Sequence, residues 1–341
     1  MIQQVMTAPK RITFREVDLP AVKEQDVKIK IHRIGVCGSD IHVWHGTHPF
    51  TSYPVTQGHE VSGEIVELGA GVQGLRVGQK VTIQPQVVCG KCYPCTHGKY
   101  NLCEELKVMG FQTTGTASEY FVCPAVKVTP LPEDMSYDEG AMIEPLAVAV
   151  HAVRKFGDVQ GKDVCVLGAG TIGNLVAQVA KGLGARKVMI TSHGGKKMEV
   201  ARACGIHRVI DTHAEDFGEA FLETFGPDKA DVIYDCAGTD LTMGQAIRYA
   251  RKGSTIILVA VFGKMANVDL AVLNDHELDL NTTMMYRSED YDTAIELVNK
   301  GLVSLKPLIS AHFAFKDYEN AYHFIDANKA SCLKVIIDVN D

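Results

Sequence analysis

Four thiols occur close together as Cys89-x2-Cys92-x2-Cys95-x7-Cys103, on a stretch interrupted by Gly90, Pro94 and Gly98. Tetrahedral zinc held by four sulfurs makes closed, structural sites, and spacings this short let one loop wrap the ion. Disulfides would need an oxidising compartment, whereas Met1 to Ile12 has neither the apolar stretch nor the small-residue cleavage site of a secretory signal. The expectation is a structural zinc on Cys89, Cys92, Cys95 and Cys103 in a cytoplasmic protein. Cys123, Cys165, Cys204, Cys236 and Cys332 stand singly in apolar segments and read as small buried hydrophobes.

A second set is dispersed: Cys37 in G-V-C-G-S-D, the pair His59-Glu60 in G-H-E, and Glu144 in I-E-P-L. One thiolate, one imidazole and one or two carboxylates would make a borderline-soft site that leaves room for water or substrate, as a catalytic metal requires. Each residue also has an ordinary reading: Cys37 as a core thiol, His59 as a turn residue, Glu60 and Glu144 as solvated acids. Spacing along the chain does not fix distance in space, so both readings stand on the residues alone. His45 and His48 follow His42 at intervals of three, but Gly46 and Thr47 break any helical face, and a substrate-facing loop is expected there rather than a further metal site.

Gly168-Ala169-Gly170-Thr171-Ile172-Gly173 follows an apolar strand, Val164–Leu167, and opens a helical stretch. In that setting G-x-G-x-x-G is a dinucleotide fingerprint. The first glycine allows the tight turn, the second lets backbone approach a pyrophosphate, and the third lets helix pack on strand, while the helix N-terminus offers N–H donors to the anion. The end of the next strand usually carries an acid for the adenosine ribose, and here it carries Ser192, followed by His193-Gly194-Gly195-Lys196-Lys197. A missing carboxylate and added cations favour NADP(H) over NAD(H). The alternative is that Lys196 and Lys197 sit on a solvated helix start and the cofactor is NAD.

The elements that position these residues fall into two patterns. Up to about residue 130 the chain alternates on a period near two, in Val27–Ile31, Val61–Leu68 and Lys80–Ile83, with Gly-rich turns, which predicts antiparallel β structure. Tyr137–Phe156 is Ala/Val-rich and reads as one helix. Beyond it, apolar strands (Val164–Leu167, Val188–Thr191, Val209–Ile210, Val232–Tyr234, Ile256–Phe262, Leu278–Met285) alternate with helical stretches, implying a parallel sheet covered on both faces. A tail with one amphipathic helix, Tyr291–Lys300, and a closing strand, Leu333–Val339, is too short to fold alone and is expected to return to the first domain.

Composition sets the outer bounds. At 341 residues the chain exceeds what one core sustains, and 46% hydrophobic with 22% charged residues is ordinary for a globular protein. A net charge of −7 repels a phosphate backbone, so nucleic acid is not an expected partner. The longest apolar run, Ile256 to Phe262, is too short to span a bilayer, so no membrane segment is expected.

Taken together, G-V-C-G-S-D-I-H, G-H-E-V-S-G-E-I-V-E-L-G, C-G-K-C-Y-P-C with Y-N-L-C, I-E-P-L-A-V-A-V-H-A and V-L-G-A-G-T-I-G resemble the zinc-containing medium-chain dehydrogenase/reductases along nearly the whole chain. Glu144-Pro145 and the closing A-S-C-L-K-V resemble the sorbitol and related polyol dehydrogenases, since simple alcohol dehydrogenases typically carry cysteine at the Glu144 position. The resemblance implies an α/β chain. A mostly β, GroES-like catalytic domain would span 1–146, a doubly wound Rossmann domain 147–286, and a segment returning to the catalytic domain 287–341. It implies a catalytic zinc near Cys37, His59 and Glu144, with Glu60 an exchanging or water-mediated ligand, besides the structural zinc. It implies a relay in which Ser39 receives the substrate proton and His42 passes it to solvent; without the resemblance, Ser39 would cap a helix beginning at Asp40 and His42 would be a surface residue. The Arg-Tyr pair expected near the nicotinamide appears reversed, as Tyr286-Arg287. The expected reaction is oxidation of a secondary alcohol of a polyol, sugar acid or cyclitol, or its reverse, by a homodimer or homotetramer. The alternatives are a threonine 3-dehydrogenase-like amino-alcohol dehydrogenase and a dinucleotide-binding protein without catalysis.

Overall fold

In the computed structural model, which describes residues 1–340, the chain forms two compact units, Met1–Glu144 with Ile309–Asp341, and Pro145–Leu308. The first is built on a seven-stranded sheet. Its order runs Ile309–Ala314, Lys334–Asp338, Asp26–Gly35, Glu60–Leu68, Lys80–Ile83, Val128–Pro130, and Tyr120–Pro124 also pairs with Asp26–Gly35. Alternation does the work expected of it: along Asp26–Gly35, Val27, Ile29 and Ile31 turn into one core and are at most 1% exposed. The tail joins this sheet through Lys334–Asp338, whose Ile336 lies opposite Gly35.

The second unit is a six-stranded, all-parallel sheet in the order Arg208–Asp211, Lys187–Ser192, Asp163–Leu167, Val232–Asp235, Thr255–Leu258, Asp279–Thr282. In order of appearance that is 3-2-1-4-5-6, the doubly wound arrangement, which switches direction beside the first strand. Asp163–Leu167 is buried at every position, as a strand covered on both faces must be.

Three expectations are corrected. Tyr137–Phe156 is not one helix but two, Tyr137–Ala141 and Ile143–Arg154. Pro145 has no N–H to give Ala141 and its ring would strike that carbonyl, so the helix restarts, and Glu144 falls in the first turn of the new one. The strand expected at Ile256–Phe262 ends at Leu258: the N–H groups of Val259 and Ala260 both turn to the Asp235 carbonyl, at 2.9 and 3.0 Å, and Val261 is 93% exposed. The returning segment begins at Ile309 and not at residue 287. Asp290, fully buried, accepts hydrogen bonds from His151 Nδ1 at 2.8 Å and Arg154 Nη1 at 2.6 Å, and this ties the helix Ser288–Asn299 into the parallel-sheet unit.

Candidate active site and cysteine loop

Cys37, His59 and Glu60 come from two pieces of the first unit. Cys37 ends the strand-to-helix turn and is the N-cap of the helix Gly38–Trp44, while Glu60 opens the neighbouring strand and His59 immediately precedes it. One ligand atom from each lies within 4.8 Å of the others. Glu144 is outside that set of three, buried in the same unit, and close enough for its charge to act on both His59 and Lys334. The structure thus brings Cys37, His59 and Glu60 together at coordination range and sets Glu144 beside them.

Two residues that sequence reasoning missed complete this centre. Asp40, 1% exposed, lies one helical turn after Cys37; its carboxylate accepts the Cys37 N–H at 2.9 Å and Gln57 Nε2 at 3.2 Å, and stands 3.7 Å from His59 Nδ1. Gln57 is oriented in turn by Tyr322, whose hydroxyl donates to Gln57 Oε1 at 2.6 Å. Lys334, 3% exposed, donates to both oxygens of Glu60, at 2.7 Å to Oε1. An acid three residues after a candidate metal thiolate, and a lysine alone in the apolar strand L-K-V-I-I, were the available signals.

The electrostatics fit a cation. Burial works against an imidazolium at His59, yet Asp40, Cys37 and Glu144 outweigh it and hold the pKa well above the ordinary value. Burial likewise works against the Lys334 ammonium, and Glu60 and Cys37 more than offset it. Burial pushes the Asp40 carboxyl up, with His59 opposing. Positive charge is favoured wherever a group can carry it, as expected where a thiolate and carboxylates converge around the place of a divalent ion. His59 Nδ1 is buried with no hydrogen bond, and a ring whose other nitrogen ligates a metal would present an N–H there to Asp40.

Ser39 lies within the helix Gly38–Trp44, not at its cap as the alternative reading had it, because the helix begins two residues earlier, at Gly38, with Cys37 as its cap. His42 is one turn along the same face, exposed, with Nδ1 3.4 Å from Thr47 Oγ1. His45 pairs with Asp326 at 2.9 Å, and His48 bonds Thr51 Oγ1 at 2.8 Å and stacks on Phe111.

The four loop cysteines also converge within 4.8 Å, with Cys89 Sγ to Cys95 Sγ at 4.0 Å and Cys92 Sγ to Cys103 Sγ at 3.9 Å. Zn–S bonds of about 2.3 Å in a tetrahedron put sulfurs ~3.8 Å apart, whereas a disulfide needs about 2.05 Å. Gly90 and Gly98, at φ of +71° and +70°, make the turns that fold the loop inward. N–H groups of Lys91 and Cys92 lower the Cys89 thiol to about 7, while desolvation and the neighbouring thiols push Cys95 up to about 12. Four thiolates this close need a cation to ionise together.

In the second unit Gly168 has φ +100°, and a Cβ on Gly173 would stand 1.8 Å from the Gly168 carbonyl oxygen. Gly170 is the N-cap of the helix Thr171–Gly182, and a Cβ there would meet nothing within 4 Å, leaving open space before the helix start. Thr171 and Ile172 form its half-buried first turn. At the end of the second strand Ser192 is buried with its hydroxyl toward the Gly194 carbonyl at 3.4 Å, and His193 is exposed beside His213. Lys196 pairs with Glu199 at 3.3 Å, Lys197 is half-buried, and Asp211 from the adjacent strand lies against Gly194. Tyr286 is fully buried, edge-on to Tyr291, and Arg287 pairs with Glu289 at 3.0 Å. Tyr286 is thereby engaged in packing the parallel-sheet unit, and Arg287 in an ion pair at its surface.

Known proteins carry the same combination. The alcohol dehydrogenase GroES-like domain family matches residues 23–133, and the zinc-binding dehydrogenase family matches residues 171–300. A sorbitol dehydrogenase of Halalkalibacterium halodurans is 36% identical over 322 residues, 93% of each chain. A 2-dehydro-3-deoxy-L-galactonate 5-dehydrogenase of Pseudoalteromonas atlantica is 33% identical over 333 residues, 96% of each. A Sinorhizobium meliloti protein solved with NADP bound superposes with a TM-score of 0.91 at 29% identity, covering 99% of both chains. On two family matches and on identity sustained from end to end, this chain is an oxidoreductase that belongs to the zinc-containing medium-chain dehydrogenases, in their polyol dehydrogenase subgroup.

Proposed function

We propose that this enzyme oxidises a secondary hydroxyl of a polyol, sugar acid or cyclitol to the ketone, or runs the reverse, with zinc at the Cys37 site and NADP(H) taken in preference to NAD(H). The convergence of Cys37, His59 and Glu60 within 4.8 Å, beside Glu144, carries the reading. Bound there, zinc supplies Lewis acidity toward a substrate hydroxyl, and the nicotinamide supplies the hydride acceptor. Cys37 and His59 would hold the metal with Glu144, and Asp40 keeps the His59 ring turned. Ser39 takes the substrate proton at Oγ. His42, one turn on and exposed, hands it to water. Cys89, Cys92, Cys95 and Cys103 would hold a second, structural zinc.

Ser192 in place of an acid, with Lys197 and His193 nearby, supports NADP(H), and Asp211 is the charge that opposes it. The sugar-acid and polyol names of the relatives support the substrate class. We also place the enzyme in the cytoplasm as a homodimer or homotetramer, which sedimentation would check. The deciding experiment is an initial-rate panel of polyols, sugar acids, cyclitols and threonine with both nicotinamides, before and after chelation and zinc restoration. Expected is turnover of a polyol or sugar acid, lost on chelation and restored by zinc, with Lys197→Ala lowering kcat/KM for NADP(H) and not for NAD(H). Turnover of threonine alone would replace the substrate class. Equal rates in chelated and zinc-restored enzyme would refute the zinc chemistry.

A further inference from the structure

A groove in the first unit contains a cation held by a neutral partner. Arg15, on the strand Arg11–Glu16, gives its Nε–H and an Nη2–H to one acceptor, Gln3 Oε1 on the paired strand Ile2–Ala8, at 3.0 and 2.7 Å. The guanidinium is thereby fixed in orientation without losing its charge, and no carboxylate pairs with it among the described residues. The donors that remain include one N–H on Nη1 and one on Nη2 lying parallel, the pair that a carboxylate takes bidentately. Arg15 forms one wall of a cavity of about 650 Å³, a size that suits a small molecule. Other walls come from Val5, from Phe50 and Ser52, and from Phe111 and Thr114. These stretches are locked together: Met6 and Val55 exchange both backbone hydrogen bonds, at 2.8 and 3.0 Å, the Gly115 N–H donates to the Thr56 carbonyl at 2.8 Å, and Gln112 Nε2 donates to the Phe50 carbonyl at 3.3 Å.

The cavity adjoins the Cys37 centre. The Phe111 ring centroid stands 4.9 Å from that of His59, and His48 stacks on the same ring at 4.8 Å, so one aromatic ring is shared between the cavity and a candidate metal ligand. The lining combines apolar faces with hydroxyl and amide groups, which suits the C–H and O–H surfaces of a polyhydroxylated chain. Arg15 is its only charged member among the described residues, so the local field is positive although the chain carries −7 overall. We propose that this cavity receives the far end of the substrate and that Arg15 is a specificity-determining residue, pairing bidentately with a carboxylate on that end. The inference rests on the polyol and sugar-acid reading of the site and narrows it to the acids. One guanidinium matches a carboxylate in charge and in planar geometry, whereas a phosphate monoester, close to two negative charges at neutral pH, would leave its second charge without a partner. Glutamine at position 3 is part of the arrangement: a carboxylate there would hold Arg15 as firmly and cancel the charge that the substrate needs.

The test measures initial rates of the full-length, zinc-loaded enzyme with gluconate, galactonate and idonate, with the matching hexitols sorbitol, galactitol and iditol, and with sorbitol 6-phosphate. The readout is the ratio of kcat/KM for each acid to that for its hexitol, in wild type, Arg15→Met, Arg15→Lys and Gln3→Glu. Wild type should favour at least one acid over its hexitol by about tenfold or more, and the KM for that acid should rise with salt as the ion pair is screened. Arg15→Met and Gln3→Glu should each lower the ratio about tenfold, through KM more than kcat, and Arg15→Lys should keep part of it, since an ammonium has the charge without the fork. Gln3→Glu keeps the arginine held, so it separates loss of charge from a loosened hairpin. A fall shared equally by acid and hexitol, an unchanged ratio, or a wild type that prefers hexitols or sorbitol 6-phosphate would overturn the carboxylate subsite while leaving zinc-linked polyol oxidation in place. No turnover of any polyol or acid would instead overturn the reading beneath it, and the subsite with it.

Discussion

Asp40→Asn changes one atom type in the buried chain that runs from Tyr322 through Gln57 to His59, and its consequence can be worked out donor by donor. The Tyr322 hydroxyl fixes the Gln57 oxygen, so the Gln57 amide N–H must face residue 40, where it meets Oδ1 at 3.2 Å. The Cys37 N–H reaches Oδ2 at 2.9 Å, and His59 Nδ1 stands 3.7 Å from Oδ1. An aspartate turns an acceptor oxygen toward all three. An asparagine has one acceptor oxygen, and if that oxygen keeps the Cys37 N–H, its amide N–H2 points at two other donors. The clash is relieved if His59 moves its proton from Nδ1 to Nε2, which removes the nitrogen left for a metal. Losing the group that orients a ligating imidazole costs 10- to 100-fold in metal affinity, about 1.4 to 2.7 kcal/mol. Chelator competition followed by metal analysis measures it, with the cysteine-loop zinc as an internal control. The expected outcome is loss of the Cys37-site zinc at 10- to 100-fold lower chelator concentration and an unchanged loop site. Unchanged affinity at the Cys37 site, or equal weakening of both sites, would refute the orienting role.

Cys103→Ser should cost the loop its zinc and lower the unfolding midpoint, while kcat/KM per folded molecule stays within about twofold, because a closed sulfur site stabilises and does no chemistry; metal analysis and thermal melts check it. Gly173→Ala should weaken dinucleotide binding and destabilise by at least ~1–3 kcal/mol, since its Cβ would stand 1.8 Å from a backbone oxygen that cannot yield as a side chain would; cofactor titration and urea unfolding check it. Asp290→Asn should destabilise by about 3 kcal/mol at neutral pH, because Arg154 and His151 lose a buried anionic partner. Burial alone would raise the Asp290 pKa, but His151, the Arg287 N–H and Arg154 hold it below the ordinary value. The wild type therefore has this stability above the unfolded value of about 3.9 and loses it as pH falls through the lower folded value, so the gap between the two proteins should narrow below about pH 4. A gap that widens on acidification would show that the carboxylate's pairing is not what stabilises the fold.

What was legible in the sequence was legible because it is local. The glycine fingerprint and the four-cysteine loop each complete their geometry within one turn of chain, so residue type and spacing specify them without knowledge of the rest. Cys37, His59 and Glu60 needed a resemblance, because the distance between them is set by the pairing of Asp26–Gly35 with Glu60–Leu68, and register is a property of two segments. Pro145 was in plain view, yet the Ala/Val content around it argued for continuity, and only the carbonyl of Ala141 decides that the helix must restart. The strand at Ile256 was overrun for the opposite reason: hydrophobicity continues to Phe262, but a carbonyl from another strand, that of Asp235, takes the next two N–H groups.

Asp40 and Lys334 were missed because a charged residue in a sequence is first a solvated residue, and nothing in its own neighbourhood says otherwise. Burial converts both into obligations. A carboxylate without water must find donors, and a lysine without water must find an anion, so each becomes informative only when its partners arrive from elsewhere. The apolar setting of Lys334 was nevertheless a readable sign. With register known, Lys334 lies two residues from Ile336, the partner of Gly35, on the side where Glu60 also stands opposite Gly35, and the glycine puts no side chain between the two charges. The arrangement around Cys37 and Glu60 thus follows from three strands meeting in one register, with the tail's return at Ile309 supplying the third.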